Sequence, residues 1–328
     1  HEVAGYRVLG CSNDGKAAVE LQAGSGIYCR TIHSLLNDLA QGRETLDTKT
    51  VVILDEAGKA DSKIVHRLAE AVHTAGAKLI ELGDWKQLQP VGPGAHFRHL
   101  AERLGYARLT EVHRQREEWR KEAVQQVGQG EAAKAIQTYI GRGLVEIKST
   151  HKQAVNACAN EYIAARQEHG ARGAAMMATT NKVVNDLNAA ARAELRRAGE
   201  LQDARSYNLN GHKIELAQGE RVLLTRNDYK IDVRNGDLAT VQRADKNGIV
   251  VKLDREAREV RLDLREYQDV KHGYALTAHK MQGSTIERGV VYANSQHMSR
   301  ALAYDEAYDP PAPVGPLRLA VPGSPEGV

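Results

Sequence analysis

The chain has 328 residues, 42% of them hydrophobic and 27% charged, which is enough for two or three domains with cores of their own. Its net charge of +3 permits an anionic partner without demanding one. The three cysteines, Cys11, Cys29 and Cys158, have neither metal-site spacing nor an even framework, which points to a reducing compartment, and no apolar run approaches the ~18 residues of a membrane span, which excludes insertion.

Residues 1–4 read as the end of a helix broken by Gly5, followed by a short strand over 6–9. A loop over 10–15 leads into a helix over 16–21. A second helix over 31–39 places Ile32, Leu35, Leu36 and Leu39 on one face. A strand over 50–54 follows. Asp61 and Ser62 make a good N-cap for a helix over about 63–75, which Gly76 ends. A strand over 78–82, a helix over 94–104 and a strand over 107–112 continue the rhythm. Such β-α alternation predicts a doubly wound parallel sheet. Helices over 117–129 and 131–140, a strand over 144–148, a helix over 151–167, a strand over 174–177 and a helix over 181–198 predict a second sheet domain. The texture then changes. Short strands over 220–225, 238–243, 248–253 and 259–263, separated by turn signals at 234–237 and 246–248, predict a small antiparallel module of SH3-like or OB-like size. Regular structure resumes over 274–282 and 289–293. Six of the eight prolines fall in the last 19 residues, so that tail is expected to be irregular or disordered.

The chemistry centres on Val51-Val52-Ile53-Leu54-Asp55-Glu56. An unbroken apolar run reads as a strand buried on both faces, and two acids at its carboxyl end sit where open α/β sheets place ligands. One carboxylate can hold a phosphate-bound Mg²⁺ while its neighbour orients or deprotonates a water, the Walker B arrangement. A strand ending in a charged turn would read the same until the second anchor, Leu82-Gly83-Asp84-Trp85-Lys86-Gln87. It brings Asp84 and Gln87 to the same expected edge, where Gln87 can report on a terminal phosphate.

Together "LDEAG", "GDWKQLQPVGPGAHF" and "LTEVHRQREEW" resemble RecD-like superfamily 1B DNA helicases, and more narrowly the helicase half of Ti-type (TraA-like) conjugative relaxases, over about residues 3–304. The resemblance implies two RecA-like domains of the P-loop NTPase type that use ATP and Mg²⁺, with a small SH3-like β insertion. It places Asp55 on the metal, Glu56 on water, and Gln87 and Arg114 on the γ-phosphate. Asp84, Gln115, Gln282 and Gly283 fall on the nucleotide side. The stretch Tyr274–Thr285 is similar to the family's fifth motif, so Thr277, His279 and Lys280 become candidate contacts to single-stranded DNA, as do Thr31, His33 and Thr180. A plain N-cap explains Thr31 and Thr180 equally well. Arg226, Asn227 and Lys230 of the insertion are further candidate contacts. The implied layout is a first motor domain over 1–125, truncated at its N-terminus, and a second over 126–205 and 271–308, interrupted by the insertion over 206–270 and followed by a tail over 309–328. The implied partners are single-stranded DNA, the upstream relaxase and P-loop segments of a full-length protein, and type IV secretion coupling components, in a bacterial cytoplasm.

Two departures from the family pattern stand out. Gly10-Cys11-Ser12-Asn13-Asp14-Gly15-Lys16-Ala17 fits the G-x-x-x-x-G-K form of a phosphate loop, but Ala17 stands where the Mg²⁺-binding hydroxyl belongs. It reads as a decoy, with the true P-loop expected upstream of His1. After Met298–Tyr304 the likeness ends, and Asp309 stands roughly where an arginine finger is expected. This polypeptide is therefore expected to hydrolyse ATP at background rate. A non-catalytic DNA-binding or assembly module is the alternative, and an ATPase using the loop at 10–17 a third.

Overall fold

Aliphatic runs bounded by glycine and by capping residues build two parallel sheets and one antiparallel module. In a computed structural model the described residues are 1–85, 96–107, 117–281, 286–293 and 318–322. They belong to two units, His1–Glu111 and Val112–Val328.

The first unit runs β1 (Arg7–Ser12), α1 (Gly15–Ser25), β2 (Cys29–Thr31), α2 (Ile32–Ala40), β3 (Thr50–Asp55), α3 (Ser62–Thr74), β4 (Lys78–Glu81) and α4 (His96–Leu104). The strands are parallel in the order β2-β1-β3-β4. Val51, Val52 and Leu54 of β3 are each 0% exposed, as the unbroken apolar run requires. The amphipathic faces of α2 and α3 close the core through Ile32, Leu35, Ile64, Val65 and Leu68. Asp61 caps α3, its side chain accepting from the Lys63 amide. The expected strand over 107–112 lies almost wholly outside the described residues.

The second unit opens with α5 (Glu118–Gln129), α6 (Ala132–Gly141), β5 (Val145–Lys148), α7 (His151–Gly173), β6 (Ala174–Ala178) and α8 (Asn181–Arg197). The helix α5 spans the expected boundary at residue 125, and its Ala123 and Val127 pack in this unit's core. β6 shows why a continuous apolar run fits here. Ala174, Met176 and Ala178 face the cluster built by α7 and α8, while Ala175 and Met177 face the one built by α5 and α6.

The antiparallel part comprises β7 (Arg205–Leu209), β8 (His212–Leu216), β9 (Arg221–Leu224), β10 (Leu238–Asp245), β11 (Gly248–Leu253), β12 (Glu259–Asp263) and β13 (Val270–His272). β7 and β8 form a separate hairpin, and the other five strands form one sheet in the order β12-β11-β10-β9-β13. A pairing of β12 with β13, which would close this sheet into a barrel, is not among the described pairings. The turn at Lys246-Asn247 is as expected, with Asp245 Oδ1 accepting from the amides of Asn247 and Gly248 at 3.0 and 3.2 Å.

The chain then returns to the parallel sheet with β14 (Ala275–Thr277), α9 (Ala278–Met281), β15 (Arg288–Tyr292) and β16 (Arg318–Pro322). This sheet has the order β14-β6-β15-β16-β5. β16 overturns an expectation. Within the proline-rich tail, expected to be irregular or disordered, Arg318–Pro322 is a strand paired in parallel with β15 on one side and β5 on the other. A strand needs only a few paired residues, so five suffice within a proline-rich tail.

Candidate functional site

In the first unit the candidate residues collect at the carboxyl edge of the parallel sheet. Asp55 ends β3 and is in register with Ser12 of β1, which is in turn in register with Thr31 of β2. At about 4.8 Å per strand spacing, the Thr31 and Asp55 backbones are about 10 Å apart. The Ser12 hydroxyl between them is buried and has no hydrogen-bond partner among the described residues.

Glu56 adopts a left-handed conformation, φ 54° and ψ 37°. That is costly for a residue with a side chain, and such strain clusters at functional positions. Its amide donates to Asp55 Oδ1 at 2.9 Å, and its carboxylate meets Lys59 Nζ at 3.0 Å.

Backbone contacts bind this turn to the end of β4. The Ala57 amide donates to the Leu82 carbonyl at 2.8 Å, and the Leu82 amide to the Leu54 carbonyl at 2.8 Å. A Cβ on Gly58 would come within 2.9 Å of the Asp84 carbonyl oxygen, and one on Gly83 within 3.0 Å of the Gly58 nitrogen. Only glycines let the two loops approach so closely. Asp55, Glu56 and Asp84 are thereby brought to one edge. Next in the chain, Trp85 packs edge-on to Tyr106, with ring centroids 5.0 Å apart. Gln87, Arg114 and Gln115 lie outside the described residues.

The G-x-x-x-x-G-K stretch is not a phosphate loop. Gly10, Cys11 and Ser12 are strand residues paired on both sides. The Asp14 carboxylate caps α1 by accepting from the Ala17 amide at 2.9 Å, so an acid occupies the place where an anion would sit. The reading of 10–17 as a nucleotide loop is thereby removed.

Thr31 and Thr180 are both N-caps. Thr31 Oγ1 accepts from the Ser34 amide at 3.1 Å, and Thr180 Oγ1 from the Val183 amide at 3.4 Å. His33 lies exposed in the first turn of α2. In the second unit, Thr277 is in register with Ala178, which puts Thr277 and Thr180 at the carboxyl edge of the same sheet. Lys280 is exposed in the short helix that follows, and His279 shares that helix backbone. Gln282 and Gly283 lie outside the described residues. In the insertion, Arg226 is already committed, to Asp269 at 2.8 Å and to the face of Tyr267 at 5.0 Å. Asn227 uses its Oδ1 to accept from the Asn235 amide at 2.8 Å.

One constellation had no sequence signal. Asn188 of α8, 6% exposed, serves the free edge of β14. Its Oδ1 accepts from the amides of Tyr274 and Ala275, each at 2.9 Å, and its Nδ2 donates to the Ala275 carbonyl at 3.2 Å. Beside it Glu220, with its side chain 0% exposed, takes Arg192 Nε at 2.8 Å and the Tyr274 hydroxyl at 2.8 Å. Burial and the Glu220 charge push the Tyr274 phenol up, so it remains a donor. Burial holds His272, 3.6 Å from Glu220, below its ordinary range. This joint fixes the start of the segment that carries Thr277 and Lys280.

These two parallel sheets, with their acids and hydroxyls at the carboxyl edges, make the architecture RecA-like. A family model described as an AAA domain matches residues 1–150. The fold is shared with the Pif1 helicase from Bacteroides in complex with ADP-AlF3 and ssDNA, at TM-score 0.60 and 16% identity over 95% of this chain and 82% of that one. It is also shared with the Pif1 helicase from Candida albicans, at TM-score 0.59 and 15% identity over 97% of this chain and 92% of that one.

In sequence the chain is similar to the probable conjugal transfer protein TraA of Sinorhizobium fredii, 35% identical over 92% of this chain and 27% of that protein. It is 34% identical to the conjugal transfer protein TraA of Agrobacterium fabrum, over 92% of this chain and 28% of that protein. It is 29% identical to the ATP-dependent RecD2 DNA helicase of Deinococcus radiodurans, over 92% of this chain and 42% of that protein. The chain thus spans little more than a quarter of the TraA proteins it matches. The resemblance to TraA-like conjugal transfer proteins and to a RecD2 DNA helicase holds over nearly its whole length. Among the described residues no helix is long and apolar enough to cross a membrane.

Proposed function

We propose that this chain is the motor portion of an ATP-dependent single-stranded DNA translocase, working within a longer conjugal transfer protein that unwinds plasmid DNA. The observation that carries the proposal is the close backbone packing of the Asp55-Glu56 turn on Gly83-Asp84, with Thr31 about 10 Å along the same sheet edge. Oxygen donors suit Mg²⁺, which keeps much of its water and takes one or two carboxylates together with phosphates. Asp55, with Asp84 beside it, fits that demand, and among the described residues no larger cage of His, Cys, Asp or Glu competes.

When bound, the magnesium nucleotide supplies a phosphoryl group for transfer to water. On this reading Asp55 holds the ion, and Glu56, held by its strained turn and Lys59, orients and deprotonates the water. Gln87, Arg114 and Gln115 respond to the terminal phosphate, and Gln282 and Gly283 approach the nucleotide. Thr31, His33, Thr180, Thr277, His279 and Lys280 hold the strand's phosphates and sugars. The Pif1 neighbours solved with ssDNA and the relatedness to TraA proteins support this reading.

Titration of a labelled oligothymidylate tests the DNA assignment. Lys280→Ala should weaken binding and lower the salt slope by about 1, since one phosphate contact is lost. Thr277→Ala should weaken binding with the slope unchanged. Wild-type affinity in both variants would refute the assignment.

A further inference from the structure

Tyr229 is 89% exposed, although Ile231, two residues on in the same loop, packs against the module's core. It stands at the tip of the loop between β9 and β10, and that loop is locked. The Asp228 and Val233 backbones exchange two hydrogen bonds, of 2.8 and 2.9 Å. The Asp228 carboxylate turns in to accept from the Lys230 amide at 3.0 Å, and Asn227 accepts from the Asn235 amide. The second acid of the loop, Asp232, is neutralised by Arg255 at 3.0 Å and Arg258 at 3.4 Å. Lys230 is exposed and has no ion pair among the described residues.

We propose that Tyr229 is a stacking platform for an unpaired base of single-stranded DNA, with Lys230 beside it to meet a backbone phosphate. A rigid ring on a hydrogen-bonded tip loses little freedom on stacking, and every base offers a π-face to it. The tip's other residues, Asn227, Asp228, Lys230 and Asp232, are polar, apart from Ile231, which packs against the core. The ring therefore lacks the contiguous apolar surface on which a folded protein would dock. A flat ligand with polar edges fits the site better.

This inference rests on the DNA-binding reading, and one titration separates the two. Wild type, Tyr229→Ala, Tyr229→Phe and Lys230→Ala are titrated with labelled oligothymidylate at several salt concentrations. Tyr229→Ala should lose on the order of tenfold in affinity, because stacking on one base is gone. Its salt slope should match wild type, because stacking releases no counterions, whereas Lys230→Ala should lower the slope by about 1. Tyr229→Phe should bind like wild type. The exposed position leaves folding of Tyr229→Ala intact, which an unchanged melting curve verifies. Wild-type binding together with undiminished binding by Tyr229→Ala would overturn the platform alone. No binding by the wild type would overturn the DNA reading and the platform with it.

Discussion

Replacing Glu220 with alanine probes how the antiparallel module is joined to the parallel sheet. The substitution removes the acceptor for Arg192 Nε at 2.8 Å, for the Tyr274 hydroxyl at 2.8 Å and for the Ala217 amide at 3.0 Å. Breaking a buried ion pair by deleting one partner costs about 3–5 kcal/mol. Arg192 keeps Glu215 at 3.2 Å, which sets the expected loss near the lower end, about 3 kcal/mol. In a unit of this size that corresponds to a fall of about 6–12 °C in Tm. Glu220→Gln retains an acceptor for Tyr274 and should cost less, about 1–3 kcal/mol. The assay is thermal unfolding followed by Trp119, which lies in this unit and packs on Tyr139 at 5.3 Å and Arg142 at 4.2 Å. A Trp85→Phe background isolates its signal. A Tm for Glu220→Ala within about 2 °C of the parent would show that the joint holds nothing together.

Three more expectations concern stability. Gly83→Ala would force a Cβ to within 3.0 Å of the Gly58 nitrogen and 3.2 Å of the Ala57 nitrogen. It should destabilise the first unit by about 1–3 kcal/mol, read by Trp85 fluorescence in a Trp119→Phe background, and an unchanged curve would show that the loops part freely. Glu56→Gly relaxes a left-handed residue and should raise stability by about 1 kcal/mol; a loss would mean that the Lys59 pairing outweighs the strain. For His272 the folded state binds its proton less readily than the unfolded chain, because burial lowers its pKa. Its contribution is therefore complete above about pH 6.5 and is lost as the pH falls below that. His272→Gln should flatten the acid limb of a stability-against-pH profile, and identical profiles for variant and wild type would refute it.

The sequence was most legible where structure is local. The run from Val51 to Leu54 predicts a doubly buried strand because four consecutive apolar residues leave no polar face, and the strand delivers Asp55 to the sheet edge. Asp61, Thr31 and Thr180 are legible as caps because their partners lie two or three residues on. Gly83-Asp84 is legible as a strand end, but its docking on Ala57-Gly58 is not, because backbone contact between loops leaves no periodic trace. β2 and β13, each only three residues long, are too short to show alternation. The hairpin of β7 and β8 had a turn signal in Asn210-Gly211, both at positive φ (51° and 80°), but its largely polar flanks, partly exposed on both strands, conceal the strand pattern. β16 was hidden by the prolines around it, since composition reads a whole tail whereas pairing needs only five residues. The joint of Asn188, Arg192, Glu220 and Tyr274 draws on positions far apart in the chain, and only the fold brings them together.

The most direct test of the central claim is binding of the wild-type chain to single-stranded oligothymidylate, followed by fluorescence anisotropy from about 50 to 200 mM salt. If the sheet-edge hydroxyls and Lys280 meet phosphates as proposed, the chain should bind at the low end and weaken linearly in log–log form as salt rises. No binding at about 50 mM salt, or binding indifferent to salt, would contradict the account.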